Sequence, residues 1–121
     1  MNMTFNINNF CIGSRETFII SEIGNNHNGS FEKAIQMIDD SIEIGVDCVK
    51  FQMRHIDEVY RSRSLKKDGE DLGTEYVIDL LKRFELSLEE HRKISEYCSQ
   101  KEILYMCTAW DAKSVDVLET F

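Results

Sequence analysis

Proline is absent from the 121-residue chain, so its turns must be made by glycine, asparagine, aspartate and serine. Also missing is any apolar run near the roughly 18 residues that a membrane span requires. The opening MNMTFNINNF lacks the basic-then-apolar layout of a secretory leader. A cytoplasmic protein with no membrane attachment is expected. Cysteine is present four times, as Cys11, Cys48, Cys98 and Cys107, but never as a C-x-x-C pair. Reduced, mostly buried thiols fit that spacing better than a disulfide frame or a zinc site. Positive charge is the minority: 14 basic against 22 acidic residues leave a net charge of −8, which argues against binding a nucleic-acid backbone. The exception is local. KFQMRHIDEVYRSRSLKK, Lys50 to Lys67, carries six basic side chains against Asp57 and Glu58, so an anion could be met there, although a solvated basic loop explains most of them equally well.

An apolar fraction of 42% suffices for one domain, and the length leaves little room for two. TFNINNFCIGSRETFII reads as a short hairpin with Gly13-Ser14 at its turn, leading into a strand at about Phe18–Ile23. Ser30 is placed to cap a helix to about Ile44, whose buried stripe is Phe31, Ala34, Ile35, Ile38 and Ile42, with Gly45 closing it. Val46–Gln52 is a second strand. After the basic loop, a helix over about Thr74–Phe84 shows Tyr76, Val77, Leu80, Leu81 and Phe84 on one side. Ser87 and Glu90 form a capping box for another helix to about Gln100, its inner stripe Leu88, His91, Ile94 and Cys98. Ile103–Thr108 is the third strand, and Asp111 caps a helix expected to be still running at Phe121.

Strands alternating with helices imply a parallel sheet. A closed (β/α)8 barrel takes about 250 residues, and three strands cannot close one. The expected fold is therefore α/β: the N-terminal portion of a TIM barrel, with a hairpin over 1–17 and about three βα units over 18–121. An open three-stranded layer is the alternative if nothing follows.

In such folds the carboxyl ends of the strands carry the chemistry. Glu22 lies at the end of the first core strand, Lys50 and Gln52 at the end of the second, and Thr108 at the end of the third. Strand alternation puts Cys48, Lys50 and Gln52 on one face and Val49 and Phe51 on the other. A lysine turned into a barrel must meet an anion, react, or reach the rim along its stem. Glu22 could accept hydrogen bonds from sugar hydroxyls, act as a base, or pair with Lys50. His27, within SEIGNNHNGS, has no metal-ligand partner nearby in sequence. A structural role, pinning the loop through a backbone hydrogen bond, is favoured over ligation.

These residues resemble the sialic acid synthases. That family opens its barrel with A-E-I-G-x-N-H-x-G, here Ser21-Glu22-Ile23-Gly24-Asn25-Asn26-His27-Asn28-Gly29. Its V-K-x-Q is matched by Val49-Lys50-Phe51-Gln52, and its S-T-P-F-D by Cys107-Thr108-Ala109-Trp110-Asp111. The resemblance implies condensation of phosphoenolpyruvate with an N-acetylmannosamine-type sugar, attack of water and loss of phosphate. It implies Lys50 and Thr108 as phosphoenolpyruvate ligands and Glu22 and Gln52 as sugar ligands. Glu22 and Lys50 then carry the catalysis, and Asn26, His27 and Gly29 shape the loop. It further implies a homodimer and a divalent metal, manganese or magnesium, held by later parts of the barrel, together with a C-terminal antifreeze-like domain. None of those later parts is in this chain, which is expected to be inactive alone. Ala109 in place of proline and Trp110 in place of phenylalanine depart from the pattern and bear on the placing of Thr108. Two other classes remain open: a Schiff-base sugar-acid aldolase using Lys50 as its amine, and a non-catalytic sugar-phosphate-binding remnant.

Overall fold

The computed structural model describes residues 3–13, 16–60 and 72–121, the side chains of 72–76 excepted. The basic stretch from Arg61 to Lys67, Ser14 and the side chain of Tyr76 lie outside the described residues. A two-stranded antiparallel hairpin, β1 (Phe5–Ile7) and β2 (Phe10–Ile12), precedes a three-stranded parallel sheet. That sheet has the order β3 (Ile20–Gly24), β4 (Cys48–Met53), β5 (Leu104–Ala109). Between β3 and β4 runs α1 (Phe31–Glu43). Between β4 and β5 run α2 (Ile56–Val59), α3 (Leu72–Phe84) and α4 (Leu88–Gln100), and α5 (Ala112–Leu118) follows β5.

The helices begin where side-chain caps dictate. Ser30 accepts a hydrogen bond from the Lys33 amide at 3.2 Å, and Ser87 with Glu90 forms the full reciprocal box, Ser87 N donating to Glu90 Oε2 at 2.7 Å. Asp111 accepts from Ser114 N at 2.8 Å to start α5. Gly45, at φ +79°, takes the chain out of α1.

The core lies on one face of the sheet. Val49, Phe51 and Ile23 meet Ala34 and Ile38 of α1 and Ile94 and Cys98 of α4, all at most 1% exposed. Phe51 is its centre, stacked between the rings of His27 and Tyr105 at 6.0 and 5.8 Å. Tyr97 donates to Asp39 at 2.7 Å, tying α4 to α1. The Ser41 hydroxyl meets that of Ser21 at 2.9 Å, tying α1 to β3.

Five details differ from expectation. Val77, expected on the apolar side of α3, is 50% exposed, and Ile78 next to it takes the buried position. The hairpin turns at Asn8-Asn9, pairing Ile7 with Phe10, not at Gly13-Ser14. Asn8 sits at φ +50°, a conformation asparagine tolerates better than other side chains, so it competes with glycine for a turn. Leu88 is 46% exposed: as the first residue of α4 it points outward, while Leu86, just before the cap, is buried. α5 stops at Leu118, and the Thr120 hydroxyl donates to the Val117 carbonyl at 2.7 Å, a side-chain bond that competes with helix continuation. Finally, the segment after β4 is not all loop, because α2 forms one turn there.

Candidate active site

Parallel register decides which side chains share the face opposite the helices. Ile20 pairs with Cys48 and Cys48 with Leu104; Glu22 pairs with Lys50 and Lys50 with Met106; Gln52 pairs with Thr108. Glu22, Lys50, Gln52 and Thr108 therefore lie together at the carboxyl ends of three adjacent strands, on a floor otherwise made of Ile20, Cys48, Leu104 and Met106.

The centre of this floor is an ion pair. Lys50 Nζ lies 2.8 Å from Glu22 Oε2, with side chains 34% and 44% exposed respectively. The hydrogen bond that Lys50 donates to Glu22, and then the charge of that carboxylate, raise the Lys50 pKa, so the amine is held as an ammonium. That state suits holding an anion and is the wrong one for imine formation. Gln52 is anchored on its carbonyl side, where Arg54 Nη2 donates to Oε1 at 2.8 Å. Between Glu22 and Gln52 sits Gly24, at φ +55°. A Cβ there would meet Gln52 Nε2 at 3.3 Å and Glu22 Oε1 at 3.4 Å, so the glycine leaves these two groups room to stand side by side. Thr108 is exposed at the rim.

The loop after β3 is a series of tight turns. Backbone bonds run from Asn26 N to Ile23 O, Asn28 N to Asn25 O and Ser30 N to His27 O, each 3.0 Å, and the Asn26 side chain adds a bond to the Ile23 carbonyl at 2.9 Å. His27 is 1% exposed. Its Nδ1 accepts from Gly29 N at 3.1 Å, and it hydrogen-bonds the Gly24 backbone on its other side. Burial lowers its pKa, leaving a neutral ring with both nitrogens engaged. Gly29, at φ +76°, packs so close to α3 that a Cβ would collide with the Arg83 carbonyl oxygen.

A second polar cluster borders the floor. Arg54 Nε lies 3.1 Å from Glu85 Oε1, its side chain only 5% exposed, and its guanidinium lies 4.5 Å from the centre of the Trp110 ring. Asp111 receives His55 N at 2.8 Å, Ser114 Oγ at 2.8 Å and Ser114 N at 2.8 Å. Burial acts against its charge, yet those bonds hold the carboxyl down at about 2. His55, Asp111 and Ser114 are a knot, not a nucleophile relay. The Ser114 hydroxyl is wholly buried and spent on Asp111, while His55 Nδ1 is shared between both. Sequence reasoning placed Asp111 as a cap and as the last residue of the third motif, and did not single out Arg54, Glu85 or Ser114. Arg54 and Glu85 are separated by 30 intervening residues and carry no spacing signal.

The described residues do not fit a divalent metal. No group of three or more His, Cys, Asp or Glu side chains among them could hold one; His27 has both nitrogens occupied, and His91 is buried with Nδ1 3.2 Å from the Tyr105 hydroxyl. A cavity of about 530 Å³ lies against Asn8, Glu102, Leu104 and Phe121 near the amino end of β5, and Glu22, Lys50, Gln52 and Thr108 do not line it.

The structure is thus a parallel α/β layer with a cation, a carboxylate and an amide together at its strand ends. The NeuB family matches residues 37–121, and the chain belongs to that family. The spore coat polysaccharide biosynthesis protein SpsE of Bacillus subtilis is 33% identical over 120 residues, covering 96% of this chain and 31% of that protein. The N,N'-diacetyllegionaminic acid synthase of Legionella pneumophila is 36% identical over 110 residues, covering 87% and 30%. Among solved structures, the N-acetylneuraminic acid (sialic acid) synthetase of Leptospira borgpetersenii, in complex with citrate, superposes with a TM-score of 0.81 at 27% identity. That match covers 99% of this chain and 39% of the other. The chain thus spans about a third of the length of its relatives, and the resemblance read from its motifs agrees with the family match.

Proposed function

We propose that this chain is the opening part of a nonulosonic acid synthase: the hairpin and first three βα units of a TIM barrel that joins phosphoenolpyruvate to an N-acetylmannosamine-type sugar. The observation that carries the reading is the Lys50–Glu22 pair at the strand ends, in a chain of the NeuB family. Open geometry supports a larger barrel. Among the described residues β5 has β4 as its sheet neighbour on one side alone, and Ile20 is 42% exposed on the floor face.

The chemistry needs no protein nucleophile. The methylene carbon C3 of phosphoenolpyruvate attacks the carbon of the sugar aldehyde, whose oxygen takes up a proton to become a hydroxyl. Water then adds with loss of a proton to C2, the carbon that bears the phosphate, and phosphate leaves with the C2–O bonding electron pair as the new hydroxyl gives up its proton to become the ketone. Lys50, as a fixed ammonium, is set to counter the charge of the phosphoenolpyruvate, and Thr108 at the rim adds a hydroxyl. Glu22 accepts from a sugar donor and can move a proton, and Gln52 orients the sugar beside it. In this reading a divalent ion, manganese or magnesium, is held by other parts of such a protein.

In the longest reading frame containing this chain, phosphate release from phosphoenolpyruvate should require the amino sugar. It should fall about a hundredfold or more in Lys50→Ala and in Glu22→Gln. Borohydride with pyruvate should leave no adduct. An adduct on Lys50 would establish the aldolase reading instead, and unchanged activity in both variants would make the pair structural.

A further inference from the structure

The amide of Gln52 can meet a ligand with either of two ends, and the structure decides which. A guanidinium has donors and no acceptor, so the atom 2.8 Å from Arg54 Nη2 must be the amide oxygen. The NH2 end is thereby turned the other way, toward Gly24 and Glu22. Arg54 itself has little freedom to release it. Glu85 holds Nε at 3.1 Å, the Trp110 ring lies 4.5 Å away, and the side chain is 5% exposed. A cation is costly to bury this far unless its donors are used, and one of them is spent on a residue of the site.

We infer that Arg54 is a positioning residue which, locked by Glu85 and Trp110, holds Gln52 as a hydrogen-bond donor beside the acceptor Glu22. The inference rests on the proposed function and refines its sugar subsite. With the amide in this orientation the floor offers an adjacent acceptor, Glu22 Oε1, and donor, Gln52 Nε2, on either side of Gly24. That pair matches a ligand group carrying both a donor and an acceptor: a hydroxyl, or an acetamido group through its N–H and C=O. A free ammonium, which only donates, would leave the NH2 of Gln52 unpaired. With the amide reversed, two acceptors would stand together and the preference would invert.

Two measurements test this, and one needs no substrate. In the 15N-labelled 121-residue chain, the Gln52 side-chain NH2 signals, assigned by their loss in Gln52→Ala, should show a rigid side chain in the unmodified protein. They should become as mobile as a solvent-exposed glutamine in Arg54→Met, which keeps the aliphatic stem and removes the donors. Arg54→Lys, with one donor able to reach Oε1, should restore part of the rigidity; thermal melts identify any variant that has simply unfolded. Signals unchanged in a folded Arg54→Met overturn the inference. In the longest active reading frame, Arg54→Met should raise KM for the amino sugar about tenfold, the scale expected for losing an oriented polar contact, and leave KM for phosphoenolpyruvate unchanged. In a Gln52→Ala background the same substitution should add nothing to the sugar KM. An equal rise in both backgrounds would mean that Arg54 acts by another route. If no reading frame shows synthase activity, the proposed function fails, while the NMR result still decides how Arg54 holds Gln52.

Discussion

His91, buried, and Glu85, half-buried, are ionisable groups whose charges the fold resists, and they titrate in opposite senses. Burial, with the neighbouring His27, pushes His91 down to about 4 from an ordinary 6.5, against an opposing pull from Glu90. The unfolded chain then binds more protons between those values, so the His91 contribution to stability is lost as pH falls through the window. Burial pushes Glu85 up to about 7 from 4.5, Arg54 opposing and Asp111 adding. Here the folded chain binds more protons, so its contribution is present at low pH and lost as pH rises through about 7. Each shift corresponds to about 3 kcal/mol at most, and the two offset one another. Urea denaturation at about pH 5 and about pH 7 should expose this balance. Relative to the unmodified protein, His91→Gln should gain stability on acidification and Glu85→Gln should lose it. Identical pH slopes in all three proteins would contradict the assignment.

At the level of elements, the site depends on how the β3–α1 loop is pressed against other parts of the fold. His27 fixes the loop from inside, stacked on Phe51, and Gly29 lets it approach the last turn of α3. A methyl group at position 29 would collide with the Arg83 carbonyl oxygen and would also occupy a positive φ of +76°. Gly29→Ala should therefore lower the unfolding free energy by about 2 kcal/mol or more, read as a shift in the denaturation midpoint; a loss within about 0.5 kcal/mol would mean that the contact relaxes freely. This loop was legible in the sequence as a dense polar turn after an apolar strand, and so were the caps at Ser30, Ser87 and Asp111. The partner of Gly29 was not, because Arg83 lies 54 positions away and glycine leaves no pattern of what it touches. The hairpin turn was misplaced for a related reason. Asn8-Asn9 and Gly13-Ser14 both carry turn chemistry, and strand pairing chooses between them.

Over the whole molecule, periodicity and punctuation revealed the alternating strands and helices, and strand alternation put Lys50 and Gln52 on one face. The face opposite the core was readable because its polar residues fall at strand ends. The cluster of Arg54, Glu85 and Trp110 was not, since it joins the end of β4, the end of α3 and the turn after β5, and only tertiary packing brings those together. The chain spans about a third of the length of the relatives it matches and carries a cation, a carboxylate and an amide on one floor. A site for two substrates needs walls as well as a floor. The most direct measurement is phosphate release from phosphoenolpyruvate, with N-acetylmannosamine and manganese supplied, run in parallel on this 121-residue chain and on the longest reading frame that contains it. Release from the longer protein alone, dependent on the sugar and lost in Lys50→Ala, is the expected result; release from the short chain, or none from the longer one with any N-acetylated amino sugar, would contradict it.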